Sequence, residues 1–311
     1  MSTNTVNISY ILFIVALFSH GVAFAVEQSA DENTGHGIDR KNERYHLADQ
    51  RDAEKDRLLD RFYFNLGVTS VDISATSSEF LLERIGPATT LAIDEGPVSG
   101  SGADVVGDTR PTLNIGYSFK RYPRLSLETA VAPPFEFDLK LTGTARNESL
   151  APFALCPTSD TSSCLATGIP ALGENLGDTQ VLPVLLTLVY QLPPMGRFEP
   201  YAGIGLTYVY TFDAEVTNTV LTENNRKPDL EISNSFGGVL QLGAKARLTK
   251  EISLVADVKY ISGVSQSASL NNIELNSPTL GDVIGPSTVD EASLDVELQS
   301  TVINLSLQYR F

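Results

Sequence analysis

The feature that most limits how this chain can fold is a period of two in which charged side chains keep to one face. At the C-terminus Ile303, Leu305, Leu307, Tyr309 and Phe311 alternate with Asn304, Ser306, Gln308 and Arg310. A β-strand sends two such sets to opposite faces. Seven further segments repeat the pattern. Phe62, Phe64, Leu66 and Val68 alternate with Tyr63, Asn65, Gly67 and Thr69, and comparable runs occupy 113–119, 125–131, 184–190, 202–210, 240–246 and 252–260. Past Pro133 and Pro134 the parity is expected to hold, which places Phe135, Phe137 and Leu139 with the apolar set. In the 184–190 run the second face, with Leu185, Thr187 and Val189, is mostly apolar as well.

Two kinds of barrel use such alternation, and the placement of charge separates them. Lys120, Glu128, Lys245, Arg247, Asp257, Lys259 and Arg310 all fall on the face opposite the apolar one. Seven charges in the interior of a small soluble barrel would be prohibitively desolvated unless paired. With the apolar face turned to lipid, the same charges line a polar lumen. The expected fold is therefore all-β: an eight-stranded antiparallel transmembrane β-barrel with short periplasmic turns and four long extracellular loops. The short turns are read around 121–123, 192–197 and 249–251, and the loops around 74–108, 144–180, 213–234 and 265–295. Tyr117, Tyr190, Tyr208, Tyr260, Tyr309 and Phe311 would supply the interfacial aromatic girdles, since the chain has no Trp.

The N-terminal segment differs. Residues 10–18 form an apolar run of nine, followed by Ala23-Phe24-Ala25, although residues 2–9 carry no Lys or Arg. Nine residues are too few to span a bilayer as a helix, which needs about 20, and the pattern predicts a signal peptide over 1–25. Residues 26–61, with ten acidic and seven basic side chains, are expected to form a charged periplasmic leader, helical or disordered. The barrel is assigned to 62–311.

Charge and histidine content exclude several functions. The net charge is −16, which argues against nucleic acid as a partner. The histidines are His20, His36 and His46, so residues 47–311 hold none for Ser-His catalysis or histidine metal sites. The chain is accordingly read as not an enzyme, with no cofactor and no metal centre. The four long loops carry twenty acidic and four basic residues, so the acidity belongs to the outer surface. Divalent cations are the partners expected there. Cys156 and Cys164 lie close together in the second loop and are expected to pair as a disulfide in an oxidising compartment.

Several stretches resemble the OmpW family of small outer-membrane barrels. These are Leu182-Pro183, the run Arg197-Phe-Glu-Pro-Tyr-Ala-Gly-Ile-Gly-Leu-Thr-Tyr208, Ala130-Val-Ala-Pro-Pro-Phe135, and the terminal Leu307-Gln-Tyr-Arg-Phe311. The resemblance implies the outer membrane of a Gram-negative bacterium, and a narrow hydrophobic channel for passage or binding of small hydrophobic solutes. Tyr309 and Phe311 would then form the assembly signal read by the barrel-assembly machinery, with outer-membrane lipids around the wall. Val71, Leu185, Val189, Val209 and Val255 carry inward parity and are the candidates for a hydrophobic path, while simple packing of the lumen would use the same residues. Glu128, Lys245, Arg247, Asp257 and Lys259 are expected to form a mutually neutralising lumen network. The alternative function is a structural or adhesive barrel with a sealed lumen, acting through its acidic loops.

Overall fold

In a computed structural model of the chain, the residues described are 60–86, 89, 95–148, 154–155, 165–166, 170–223, 227–275 and 287–310. The expected signal peptide, nearly all of the leader, Cys156, Cys164 and Phe311 lie outside them. The strands are β1 (Phe62–Ser77), β2 (Phe80–Ile85), β3 (Gly96–Val98), β4 (Ser101–Val106), β5 (Thr109–Ser118), β6 (Leu125–Val131), β7 (Phe135–Thr142), β8 (Ala154–Leu155), β9 (Leu165–Ala166), β10 (Asn175–Gln191), β11 (Phe198–Val216), β12 (Asp229–Ile232), β13 (Ser235–Arg247), β14 (Ile252–Leu275) and β15 (Ser287–Arg310). One short helix, α1 (Gly143–Asn147), follows β7.

All pairings are antiparallel. β1 lies between β15 and β5, β5 pairs with β6, and both β6 and β7 pair with β10. From β10 the ladder runs through β11 and β13 to β14, and β14 pairs with β15. The connections between β5 and β6, β10 and β11, and β13 and β14 are short, and each is closed by backbone bonds, such as Leu125 N to Tyr122 O at 2.8 Å and Leu192 N to Pro200 O at 2.9 Å. They fall at the end where β1 begins and β15 finishes, called here the near end. At the far end β2 and β3 extend from β15, β4 pairs with β7, and β12 pairs with β14.

Toward the near end the outward side chains are apolar. Leu66, Leu206, Phe236 and Leu242 are each about two-thirds exposed (66, 67, 69 and 67%), while Asn65, Gln241, Asn304 and Ser306 are buried inside. Aromatic side chains mark both margins of this band. Tyr208 packs on Phe236 with ring centres 4.7 Å apart, and Phe62 on Tyr117 at 5.1 Å.

Two expectations change. Parity does not hold past Pro133 and Pro134: Phe135 and Phe137 point inward and are buried. Leu186 pairs with Thr129 and Val181 with Phe135, so five steps along β10 meet six along β6 and β7. Proline offers no N–H to a ladder, and a slip of one residue exchanges the two faces. The far-end segments are also not simply loops. β14 and β15 continue for 24 residues each, with Leu270, Ile273, Leu275, Val289, Ala292 and Leu294 buried inside. Beyond the apolar band the period persists, but its chemistry is that of a water-soluble sheet, polar outward and apolar inward.

Candidate functional site

The interior has two levels. The lower one, toward the near end, is polar and filled. Tyr63 Oη donates to Glu128 Oε1 at 2.6 Å and shares a 2.9 Å hydrogen bond with Ser126 Oγ. Tyr201 Oη donates to Asp257 Oδ2 at 3.2 Å, and Asn304 Nδ2 donates to the same oxygen at 2.8 Å. Gln241 Nε2 spans the two carboxylates, 3.4 Å from Glu128 and 3.5 Å from Asp257. Lys259 is ion-paired with Asp257. Lys245 is held differently, with its ammonium 4.5 Å from the centre of the Tyr63 ring and 5.3 Å from that of Tyr201. A cation against two aromatic faces is a favourable arrangement once water is excluded. All these side chains are buried, and they bond one another as a buried polar layer must, except at Gln241 Oε1, which has no hydrogen-bond partner among the described residues.

Glycine makes room for the two rings. A Cβ on Gly116 would lie 2.0 Å from Tyr63 Cζ, and one on Gly243 would lie 2.4 Å from Tyr201 Cζ. Each tyrosine therefore lies over a bare backbone position on the neighbouring strand, at the residue it pairs with.

Above the floor is an apolar chamber of about 80 Å³, several times the space one water needs. Val71, Phe135, Val181, Leu185, Val209 and Ile261 are among its lining. A second cavity of about 70 Å³ lies farther along and shares Phe137, Val181, Val209 and Leu298 with the first. At the far end the apolar cluster around Leu82, Leu141, Leu221 and Leu275 packs across the interior, enclosing a third cavity of about 50 Å³.

Of the path candidates, Val71, Leu185 and Val209 meet around the chamber. Val189 and Val255 instead pack on Tyr201 in a separate buried cluster. Of the charge candidates, Glu128, Asp257, Lys245 and Lys259 gather in the floor. Arg247 does not: it is exposed at the end of β13 and ion-paired with Glu199. Tyr309 is half-exposed at the near end of β15. Phe135 and Phe137 escaped the sequence reading because of the proline slip. Tyr63 and Tyr201 had inward parity, but their pairing with Gly116 and Gly243 depends on strand register.

The outer surface beyond the apolar band carries carboxylates in rows. Asp178 lies directly across from Asp138 on β7 and Glu215 on β11. Burial, and then the charges of Glu215, Asp138 and Glu136, push the Asp178 carboxyl above its ordinary range. Nearby, the hydrogen bond from Lys140 and the charge of Arg146 hold exposed Glu174 below it. Among the described residues no group of three or more His, Cys, Asp or Glu is arranged to hold a metal ion.

An antiparallel sheet with its apolar band outward, aromatic margins and a polar interior is the architecture of an outer-membrane β-barrel. The chain belongs to the OmpW family, whose model matches residues 83–311. It is 28% identical over 143 residues to the uncharacterized outer-membrane protein y4mB of Sinorhizobium fredii, across 46% of this chain and 53% of that protein. The match thus spans about half of the relative's length. In fold it is similar to the outer membrane protein OprG from Pseudomonas aeruginosa, with a TM-score of 0.56 and 22% identity over 80% of this chain and 95% of that one. The family places the protein in the outer membrane of a Gram-negative bacterium.

Proposed function

We propose that this chain is an eight-stranded closed barrel that binds small hydrophobic molecules in its chamber and passes them across the outer leaflet. The near end faces the periplasm and the extended far end, with four long connections, faces outward. The ring of pairings completed by β14 and β15 supports the strand count. The observation that carries the function is an apolar chamber standing directly on a buried charged floor. Apolar solutes are accepted by such walls, and the filled polar layer beneath stops them.

The wall offers another way out. Pairing of β5 with β6 reaches Leu113 and Val131, and pairing of β4 with β7 resumes at Val106 and Asp138. Between these limits side chains hold the wall: Arg110 bridges Asp108 at 2.6 Å and Glu136 at 2.9 Å. A solute leaving here enters lipid rather than the periplasm. Lipids around the apolar band and the assembly machinery reading Tyr309 and Phe311 complete the partners in this reading.

The test is Leu185→Asp, which puts a carboxylate into the chamber while leaving the lipid face intact. Hydrophobic-solute flux into proteoliposomes should fall about tenfold, the scale of one uncompensated polar group, with assembly retained on a heat-modifiability gel. Unaltered flux would remove the chamber from the route. The packed far-end cluster favours a second reading, a sealed structural or adhesive barrel acting through its acidic outer surface. Absence of any solute flux in the unsubstituted protein, with intact binding of cell surfaces, would decide for it.

A further inference from the structure

The near end carries positive charge that no described carboxylate neutralises. Toward the far end each of the five described cations has a carboxylate partner, from Arg84 with Glu291 to Lys227 with Glu215. In the floor Lys259 has Asp257, and Lys245 lies against two rings. Around the near end the described residues include eight cations and three carboxylates, Asp60, Glu199 and Glu251, and among them only Arg247 is ion-paired, with Glu199. Arg61 and Arg310 donate to neutral hydroxyls, Tyr117 Oη at 3.3 Å and Ser118 Oγ at 3.1 Å. Lys120, Arg121, Arg124, Arg197 and Lys250 are exposed and make no ion pair among the described residues. Backbone hydrogen bonds of 2.8 to 3.1 Å set the cations along the rim of strand ends, joining Arg61 to Ser118, Arg124 to Gln191, Arg197 to Arg247 and Arg310 to Glu251.

The same turns present apolar side chains. Tyr122, Met195 and Leu248, one in each short connection, are 59, 72 and 60% exposed. Arg121 lies 5.9 Å from the centre of the Tyr122 ring. Each connection thus offers a cation beside a large apolar group, at the margin of the lipid-facing band. A soluble polyanion would neutralise the cations and leave the apolar tips in water. A headgroup layer takes both, because its phosphates accept from the cations while the tips enter the boundary between headgroups and acyl chains. We propose that the near-end turns form a docking collar for anionic phospholipids of the leaflet around them. The inference needs the barrel to lie in a bilayer and does not depend on the chamber.

The full chain is refolded into phosphatidylcholine vesicles holding a trace of spin-labelled phosphatidylglycerol or phosphatidylcholine, and electron paramagnetic resonance reads the motionally restricted fraction of each. The anionic lipid should associate about threefold more strongly, and the preference should fall toward one in about 1 M salt. Combining Arg121→Gln, Arg124→Gln, Arg197→Gln and Lys250→Gln should also bring it toward one, whereas Lys140→Gln with Arg146→Gln should leave it in place. Equal association of the two lipids with the unsubstituted protein, a preference unchanged in the near-end variant, or its loss in the far-end one, would overturn the proposal. Equal association together with binding of polyglutamate to the vesicles would assign the collar to an acidic protein instead. If the near-end variant fails to fold on a heat-modifiability gel, Arg121→Gln with Arg124→Gln and Arg197→Gln with Lys250→Gln decide, since each pair should lower the preference.

Discussion

Replacing Tyr63 by Phe removes one oxygen and leaves the ring in place over Gly116. The loss falls on Glu128, which is 4% exposed and takes a 2.6 Å hydrogen bond from that hydroxyl. Among the described residues its remaining side-chain donor is Gln241, at 3.4 Å. A hydrogen bond to a buried charge is worth about 2 kcal/mol, and the stranded carboxylate is the greater part of that. Tyr201→Phe is the internal control. Its bond to Asp257 is longer, at 3.2 Å, and Asp257 keeps Asn304 at 2.8 Å together with Gln241 and Lys259. The cost there should be about 1 kcal/mol. Equilibrium urea unfolding of the protein refolded into lipid vesicles, followed by circular dichroism, reads both. Adding Glu128→Gln to Tyr63→Phe should expose a coupling of about 1 kcal/mol, since the two groups share one bond. A Tyr63→Phe effect below about 0.5 kcal/mol, the scatter of additivity, or a ranking that puts Tyr201→Phe higher, would refute the dependence of each carboxylate on its side-chain donors.

Gly116→Ala should destabilise by about 2 kcal/mol through overpacking against the Tyr63 ring, and the loss should shrink when Tyr63 is itself Ala; unfolding of both variants tests it. Asp178→Asn should stabilise by about 0.5 kcal/mol at neutral pH, the scale of a like-charge pair across a sheet. Because the folded Asp178 pKa is raised, its penalty is full above that pKa, fades as pH falls through it and is gone below the unfolded value. The variant's advantage, followed by unfolding at stepped pH, should vanish in the same order. In the sequence Cys156 follows Leu155 and Cys164 precedes Leu165, and Leu155 and Leu165 are paired. The protein should show an intramolecular disulfide by intact mass with and without reductant, and two free thiols before reduction would exclude it.

The membrane-facing part of the fold was legible because lipid imposes a pattern that few other environments tolerate. Leu240 and Leu242 outside with Gln241 inside can be read from three letters. The candidate site was legible in part. Inward parity found Leu185, Val209, Lys245 and Asp257, because alternation is a property of one strand. It could not find what depends on two strands: the ring of Tyr63 over Gly116, Gln241 between Glu128 and Asp257, or the turn of Phe135 into the chamber after one extra residue. Arg247 was misplaced for a related reason, since parity gives a face but not a height, and at its height Glu199 stands beside it.

β15 shows why the rest was hidden. Its inward residues are even-numbered from Ala292 through Leu294, Val296, Val302, Asn304 and Ser306 to Gln308, without a break in phase. What changes is which set is apolar: Ile303, Leu305 and Leu307 face outward near one end, and Leu294 and Val296 face inward near the other. A reading keyed to hydrophobicity sees a strand stop where only the solvent outside it changes. The inversion also decides where the chamber sits. Below it the interior is largely polar, with Val189 and Val255 packed on Tyr201, because lipid has taken most of the apolar side chains, and above it the interior is apolar because water has taken the polar ones. An apolar chamber resting on a charged floor follows from one uninterrupted strand crossing from lipid into water.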